Sequence, residues 1–317
     1  MTVATANAFV TGASGFVGTE LVKVLRAHGH QVLCLTGSLD AAQRARNVGA
    51  TPVIGDLLQS GRWQDEAAAA DWVFHLLPGL QDGLRITAYR AASISDARVS
   101  MDAHLLDAVA AGGTTRIVYV AETSSYGPTG PRPITEDEPP RPSLWGHCFA
   151  PAFKRLDGYL AAGLPIVTAF SGWLYGNASW FRERVVVPVM TGRRVMQFGK
   201  AGPWVSPIHV HDCARALVHL AERGEVGGRY FLVNSDPIRL DEFAEAFARL
   251  AKRPLRVWRM PGGASRLIVN RTMSNALMAD AVFSNIRLRG MGFRFRYPTL
   301  ADGIEQILGE INEQSRL

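Results

Sequence analysis

The stretch "NAFVTGASGFVG", Asn7 to Gly18, decides the fold. Ala8 to Val10 read as an apolar strand, after which the chain turns through Gly12, Gly15 and Gly18 in a G-x-x-G-x-x-G spacing. Directly behind it, "FVGTELVKVLRAHG" is an amphipathic helix closed by Gly29. Such a turn lets backbone approach a pyrophosphate closely and aims the helix's free N–H groups and dipole at the phosphates. The spacing alone is a common turn. A strand before it and a helix after it make it a dinucleotide-binding signal.

The alternation continues outward. A second strand, "QVLCLT", is followed by a helix near Leu39 to Val48, the strand "TPVIG", a helix around Trp63 and the strand "DWVFHLL". A long helical region from about Asp82 to Ala111 precedes the strand "RIVYVAE", a helix around Phe149 to Ala162 and the strand "PIVTAF". This pattern predicts an α/β fold, a doubly wound parallel sheet of Rossmann type with a smaller C-terminal substrate domain. The expected boundaries are residues 1–175, with returning segments at about 204–235, for the dinucleotide domain, and 176–203 with 236–317 for the substrate domain. "GPTGPRPITEDEPPRPS", Gly127 to Ser143, is too rich in proline for regular structure and is expected to be a loop over a site.

Composition narrows the class. No stretch of about 18 apolar residues is present, and the N-terminus has neither a basic start nor an apolar core before a small-residue cleavage site. A soluble, unexported, cytoplasmic protein is expected. Cys34, Cys148 and Cys213 are far apart and lack any C-x-x-C spacing, which argues against a disulfide frame and a zinc site. The net charge is +6, but no Lys/Arg run exceeds two residues, so nucleic acid is not an expected partner. The only lysines are Lys23, Lys154, Lys200 and Lys252.

Candidate cofactor contacts come from the turn (Gly12, Ser14, Gly15, Phe16, Val17) and from the ends of the next strands (Thr36, Ser38, Asp56, Leu57, Leu76, Leu77, Pro78). The end of the second strand, "LTGSLD", offers no carboxylate for the 2′-hydroxyl of NAD. Thr36, Gly37 and Ser38 leave room for a 2′-phosphate, and Arg44 lies about two helical turns on, so NADP(H) is favoured over NAD(H). Asp40 is the competing residue, although its position suits a helix cap. Asp56 suits either the adenine amino group or a turn cap.

"VTGASGFVG", "GDLLQ", "VFHLL", "SSYG", "ITEDEPPRP", "FSGWLYG", "VSPIHVHDCARA", "FLVN" and "GMGFRFRYPTLADGI" stand in the order and spacing of the extended short-chain dehydrogenase/reductases. The chain resembles that NAD(P)-binding family over nearly its whole length. The resemblance implies a Ser or Thr that binds the substrate oxygen, a Tyr that transfers the proton and a Lys that lowers the tyrosine pKa. Counting back from Tyr126 in "SSYG", the Ser/Thr place holds Glu122; the Tyr and Lys places, in "SLWGHCFAPAFK", hold Trp145 and Phe149. None of the seven tyrosines is followed four residues on by lysine, so the absence of Tyr-x-x-x-Lys does not depend on alignment. The chain resembles the family's atypical members.

The catalytic group is therefore unassigned by sequence. Glu122 could donate a hydrogen bond if burial raised its pKa, or support isomerase or dehydratase chemistry, but ionised it would repel an alkoxide. Trp145 suits a pocket wall, since its indole N–H is no proton-transfer acid. His147, Tyr126 and Ser124 are weaker candidates, each with a capping or packing alternative. Tyr126, Trp145, Trp173, Tyr175 and Trp204, together with Trp180 and Phe181, suggest a flat aromatic pocket. His209 and His211 lack the further ligands a metal needs, so no metal is expected; Asp212 reads as a helix N-cap. Among atypical members, the chain is most similar in type to ketoreductases that tailor aromatic polyketides. That implies an NAD(P)H-dependent ketoreductase acting on an angucyclinone-like ketone, with a substrate hydroxyl beside the carbonyl in place of the tyrosine, and possible homodimers through the long helix. The alternative is a non-catalytic NADP-binding redox sensor.

Overall fold

The computed structural model describes residues 5–76, 87–143 and 145–314. In chain order its strands are β1 (Asn7–Thr11), β2 (Gln31–Thr36), β3 (Thr51–Ile54), β4 (Trp72–His75), β5 (Arg116–Glu122), β6 (Gly130–Ile134) and β7 (Ile166–Ser171). They continue as β8 (Trp173–Tyr175), β9 (Val195–Phe198), β10 (Trp204–Val205), β11 (Pro207–His209), β12 (Arg229–Leu232), β13 (Ile238–Arg239), β14 (Val257–Met260) and β15 (Ala281–Phe283). The helices are α1 (Phe16–Ala27), α2 (Leu39–Asn47), α3 (Trp63–Ala68), α4 (Ala88–Ala110), α5 (Ala150–Ala161) and α6 (Ser179–Phe181). They are followed by α7 (Val187–Met190), α8 (Val210–Arg223), α9 (Glu242–Leu250), α10 (Ser265–Leu277), α11 (Ile286–Gly290) and α12 (Leu300–Gln314).

The main sheet has the order β3-β2-β1-β4-β5-β7-β12, and all of its pairings are parallel. Its strands are apolar on both faces because both faces are covered. Ala8 and Val10 belong to one core with Leu21, Leu25, Leu217 and Leu220 of α1 and α8. Phe9 points the other way, into a core with Leu105, Leu106 and Leu156 of α4 and α5. The doubly wound parallel fold expected from the alternation is present. A third core joins Phe181, Val185, Val186, Phe243, Phe247, Ile304 and Ile307, mostly from the expected substrate-domain segments.

The proline-rich stretch departs from expectation: it contains a regular strand, β6, pairing in parallel with β15 at the edge of the sheet ordered β13-β10-β15-β6. An edge strand tolerates the missing N–H groups of Pro131 and Pro133 because one side of its backbone has no ladder to complete.

Candidate functional site

Parallel pairing puts every strand's carboxyl end on one edge of the sheet. Thr11 is level with His75, Thr36 with Ile54, His75 with Tyr119, and Glu122 with Ser171. The chain leaves β1 toward β2 and β3, then returns to β4 on the other side, so β1 and β4 flank the topological switch point where this architecture binds ligands.

The glycine turn opens onto that crevice. Gly12 has φ +68°, which favours glycine, and a Cβ there would stand 3.4 Å from the Leu76 carbonyl oxygen. A Cβ on Gly18 would fall 2.2 Å from the Gly12 carbonyl oxygen and 2.6 Å from Ala13 Cα, so α1 can seat against the turn only without a side chain there. Gly15 is the N-cap of α1 and supplies no side-chain acceptor, which leaves the first-turn N–H groups to a ligand or water. The backbone is thus a cradle of the kind a pyrophosphate fits.

Beneath the crevice lies a buried polar network that the sequence reading did not find. His75 Nε2 lies 2.8 Å from Asp102 Oδ1, and Thr11 Oγ1 lies 3.0 Å from His75 Nδ1. Burial pushes the His75 pKa down, so the ring is neutral and its single proton goes to the carboxylate; the one Thr11 hydroxyl proton is shared between Nδ1 and the Leu76 carbonyl oxygen, 3.1 Å away. Thr11 Oγ1 in turn accepts the Leu76 N–H at 3.1 Å. Asp102 also receives the Tyr119 hydroxyl at 2.7 Å and pairs with Arg98 Nε at 2.7 Å. Burial alone would raise the Asp102 pKa, but the His75 hydrogen bond and the Arg98 charge outweigh it and hold the carboxyl below its usual range. The network ties α4 to the ends of β1 and β4.

At the end of β5 three sequence candidates meet. Trp145 Nε1–H donates to Glu122 Oε2 at 3.2 Å, and Ser124 Oγ donates to the same oxygen at 3.0 Å. Trp145 is buried and packs edge-on against Phe149, ring centroids 5.3 Å apart, with Ile94 of α4 and Ile268 and Leu277 of α10 around them. Glu122 itself is half-buried. The Cys148 thiol is pushed up to about 12, by burial first and by the Glu122 charge second, so it stays protonated and is no nucleophile. His147 is exposed on the 3-10 turn Gly146–Phe149.

A family model for the NAD dependent epimerase/dehydratase family matches residues 8–233, from β1 through β12, the last strand of the main sheet in chain order. The chain belongs to that family. The chain is 27% identical over 307 residues to a 3-diazoavenalumate denitrifying reductase from a Streptomyces species, covering 93% of this chain and 98% of that one. It is 27% identical over 246 residues to the 4-hydroxy-2-methyl-3-oxo-4-farnesyl-3,4-dihydroquinoline-1-oxide ketoreductase of Stigmatella aurantiaca, covering 74% and 70% of the two chains. The fold matches that of a human epimerase family protein crystallised with NADPH, with TM-score 0.77 at 20% identity over 95% of this chain and 98% of that one. A nicotinamide dinucleotide fold is therefore shown for this member of the family, and the Gly12–Gly15–Gly18 cradle fits its pyrophosphate.

Around that cradle the expected contacts fall unevenly. Gly12, Ser14, Gly15, Phe16, Val17, Thr36, Ser38, Asp56, Leu57 and Leu76 all lie at the carboxyl edge, whereas Leu77 and Pro78 lie outside the described residues. Ser38, not Asp40, caps α2: its hydroxyl accepts the Ala41 N–H at 3.2 Å, and Asp40 sits in the first turn. Asp56 accepts the Leu58 N–H at 2.9 Å, the turn-capping role foreseen as its alternative. Arg44 is exposed in the last turn of α2.

The aromatic pocket needs correction. Tyr126 is enclosed by Phe170, Phe231 and Phe283, and burial pushes its phenol pKa up. Tyr175 is fully buried against Phe181, Phe243 and His209, and Trp180 and Phe181 join the same third core. These rings pack against one another instead of lining a surface, Tyr126 within the second core and the others within the third. Trp173, half-buried on Trp180, and Trp204, half-buried under Arg239, keep exposed area.

The expected N-cap role of Asp212 is also displaced. His209 caps α8 by accepting the His211 N–H, and the fully buried Asp212 instead accepts the backbone N–H groups of Arg296 (2.9 Å) and Tyr297 (2.7 Å). His211 sits 3.5 Å from Glu20 of α1. Among the described residues no group of three or more His, Cys, Asp or Glu side chains gathers to hold a metal ion, and no helix is long and apolar enough to cross a membrane.

Proposed function

We propose that the protein is an NAD(P)H-dependent ketoreductase of the aromatic-polyketide type, similar in kind to the simocyclinone ketoreductase, whose substrate supplies its own proton donor. The observation that carries this reading is the closed set at the end of β5. Two nearby donors, the Trp145 indole and the Ser124 hydroxyl, are spent on the Glu122 carboxylate. Among the described residues the site therefore offers a carbonyl oxygen an acceptor where the family resemblance implies a donor. At about 4 Å and an effective dielectric of about 20, a carboxylate beside a forming alkoxide costs about 4 kcal/mol, roughly a thousandfold in rate. A hydroxyl next to the ketone, hydrogen-bonded to its oxygen within the substrate, offsets that developing charge without a tyrosine.

The backbone of Gly12, Gly15 and Gly18 would hold the pyrophosphate of a reduced nicotinamide dinucleotide, which when bound would supply the hydride. The chain's own part is to hold the reactants in contact, which removes much of the entropic barrier, and to keep water out with Trp145, Phe149 and α10. The name of the Stigmatella relative, a ketoreductase whose substrate bears a 4-hydroxy group beside a 3-oxo group on a ring system, supports the same substrate pattern. The absence of a carboxylate among Thr36, Gly37 and Ser38 supports NADP(H) over NAD(H).

The test follows reduced-nicotinamide absorbance with ring ketones that carry a neighbouring hydroxyl and with their methyl ethers. Methylation is expected to cut turnover by about 10² to 10⁴, the size of a lost proton donor. With NADPH and NADH in parallel, a lower KM for NADPH that Arg44→Ala erases is expected. Equal turnover of the methyl ether, or a loss of roughly a thousandfold in any one of Trp145→Phe, Glu122→Gln or Tyr126→Phe, overturns substrate assistance. Cofactor binding without turnover of any ketone favours the redox-sensing alternative.

A further inference from the structure

Glu122 accepts two side-chain hydrogen bonds at the end of β5. Both converge on Oε2, one from a buried indole and one from a neighbouring hydroxyl, so that oxygen is held from two sides. Among the described residues no hydrogen bond is donated to Oε1. Glu122 is the last residue of β5, half-buried, at the edge of the sheet where the ligand crevice lies. A carboxylate held in this way accepts hydrogen bonds and does not donate them, and an acceptor left unmatched in a desolvated site is unfavourable.

We propose that Glu122 Oε1 is the specificity-determining acceptor for a second hydrogen-bond donor on the substrate, a hydroxyl or ring N–H distinct from the hydroxyl beside the ketone. The inference rests on the ketoreductase reading and deepens it. The proton of the first hydroxyl is committed to the carbonyl oxygen, so a donor for Glu122 has to come from another position on the ring system. The substrate class is accordingly a polyhydroxylated or N–H-bearing ring ketone. A simple ketone, or one whose second donor is capped, leaves Oε1 without a partner. Trp145 and Ser124 act through Glu122 as positioning residues: they occupy Oε2 and leave Oε1 as the oxygen open to a substrate donor.

The experiment is calorimetric binding of a dihydroxylated aromatic ketone to the protein saturated with oxidised cofactor, alongside its two monomethyl ethers, in wild type, Glu122→Ala and Glu122→Gln. Methylating the second hydroxyl is expected to weaken wild-type binding about ten- to hundredfold, the size of a hydrogen bond to a charged group. In Glu122→Ala that ratio falls to about one, with Glu122→Gln between. In turnover with the reduced cofactor, methylating the first hydroxyl lowers kcat in wild type and variants alike, whereas methylating the second raises KM in wild type, less in Glu122→Gln and not in Glu122→Ala. An unchanged ratio in Glu122→Ala overturns the proposal. So does a wild-type protein that binds both methyl ethers equally, a result that needs no variant to fold. Glu122-dependent binding with no hydride transfer overturns the ketoreductase reading and leaves this one standing, so the two fail separately.

Discussion

At Gly18 a methyl group has nowhere to go: its position is 2.2 Å from a backbone oxygen and 2.6 Å from a backbone carbon, neither of which can swing aside as a side chain would. Gly18→Ala is therefore expected to push α1 off the turn. The cost is about 1 to 3 kcal/mol, as for other overpacked sites, and the cradle at Gly15 is spoiled with it. Thermal denaturation with and without NADPH checks this. The expected result is a lower melting temperature and loss of the ligand-induced rise; a normal rise would show that the seat of α1 does not shape the cradle. The glycines were legible because spacing and φ demand leave few other residues possible. The rings of Tyr126 and Tyr175 were not. Sequence identifies an aromatic residue at a strand end but not which neighbour it meets, and here Phe283 and Phe243, far along the chain, close over them.

Among the elements, α4 shows what periodicity hides. Arg98 and Asp102 sit one turn apart, which on a surface helix would be an ordinary ion pair, yet both are buried against β4 and β5. Asp102→Ala removes the acceptor for His75, Tyr119 and Arg98 together and strands a buried guanidinium. A loss of about 3 to 5 kcal/mol is expected, as when one partner of a buried pair is deleted. Urea denaturation measures it; a loss below about 1 kcal/mol, the range of an exposed pair, would mean the network is solvated. The segments "IHVHDCARA" and "GFRFRYP" stood out separately in the sequence. Their physical link is Asp212, whose two carboxylate oxygens hold the backbone of Arg296 and Tyr297, while the His209 ring lies 4.4 Å from that of Tyr297. A residue read as a local cap therefore clamps the C-terminal segment, a role that depends on a contact 84 residues away.

For the whole molecule, buried neutral histidines set an acid limit. Burial brings the His209 pKa from 6.5 down to about 4, and it lowers that of His75 as well. Between those values an unfolded His209 binds a proton that the folded one does not, so stability rises with pH across the interval and falls as pH drops from 6.5 toward 4. The His209 contribution alone is about 3 kcal/mol. Melting temperatures taken between pH 7 and pH 4 should fall steeply below about pH 6, and less steeply in His209→Asn; an equal fall in both would remove His209 as the cause.

What the sequence determined by itself was the strand–helix alternation of the parallel sheet, the glycine cradle and the missing Tyr-x-x-x-Lys, because each follows from short-range spacing and residue type. Only the tertiary structure decided which side chains share a hydrogen bond. Parallel pairing brought the ends of β1, β4 and β5 to one edge, buried Arg98 and Asp102 beneath it, and turned Trp145 and Ser124 onto the carboxylate of Glu122. The place where a proton donor was looked for is held by an acceptor, since hydrogen-bond direction depends on which groups face each other across the fold and not on their spacing along the chain.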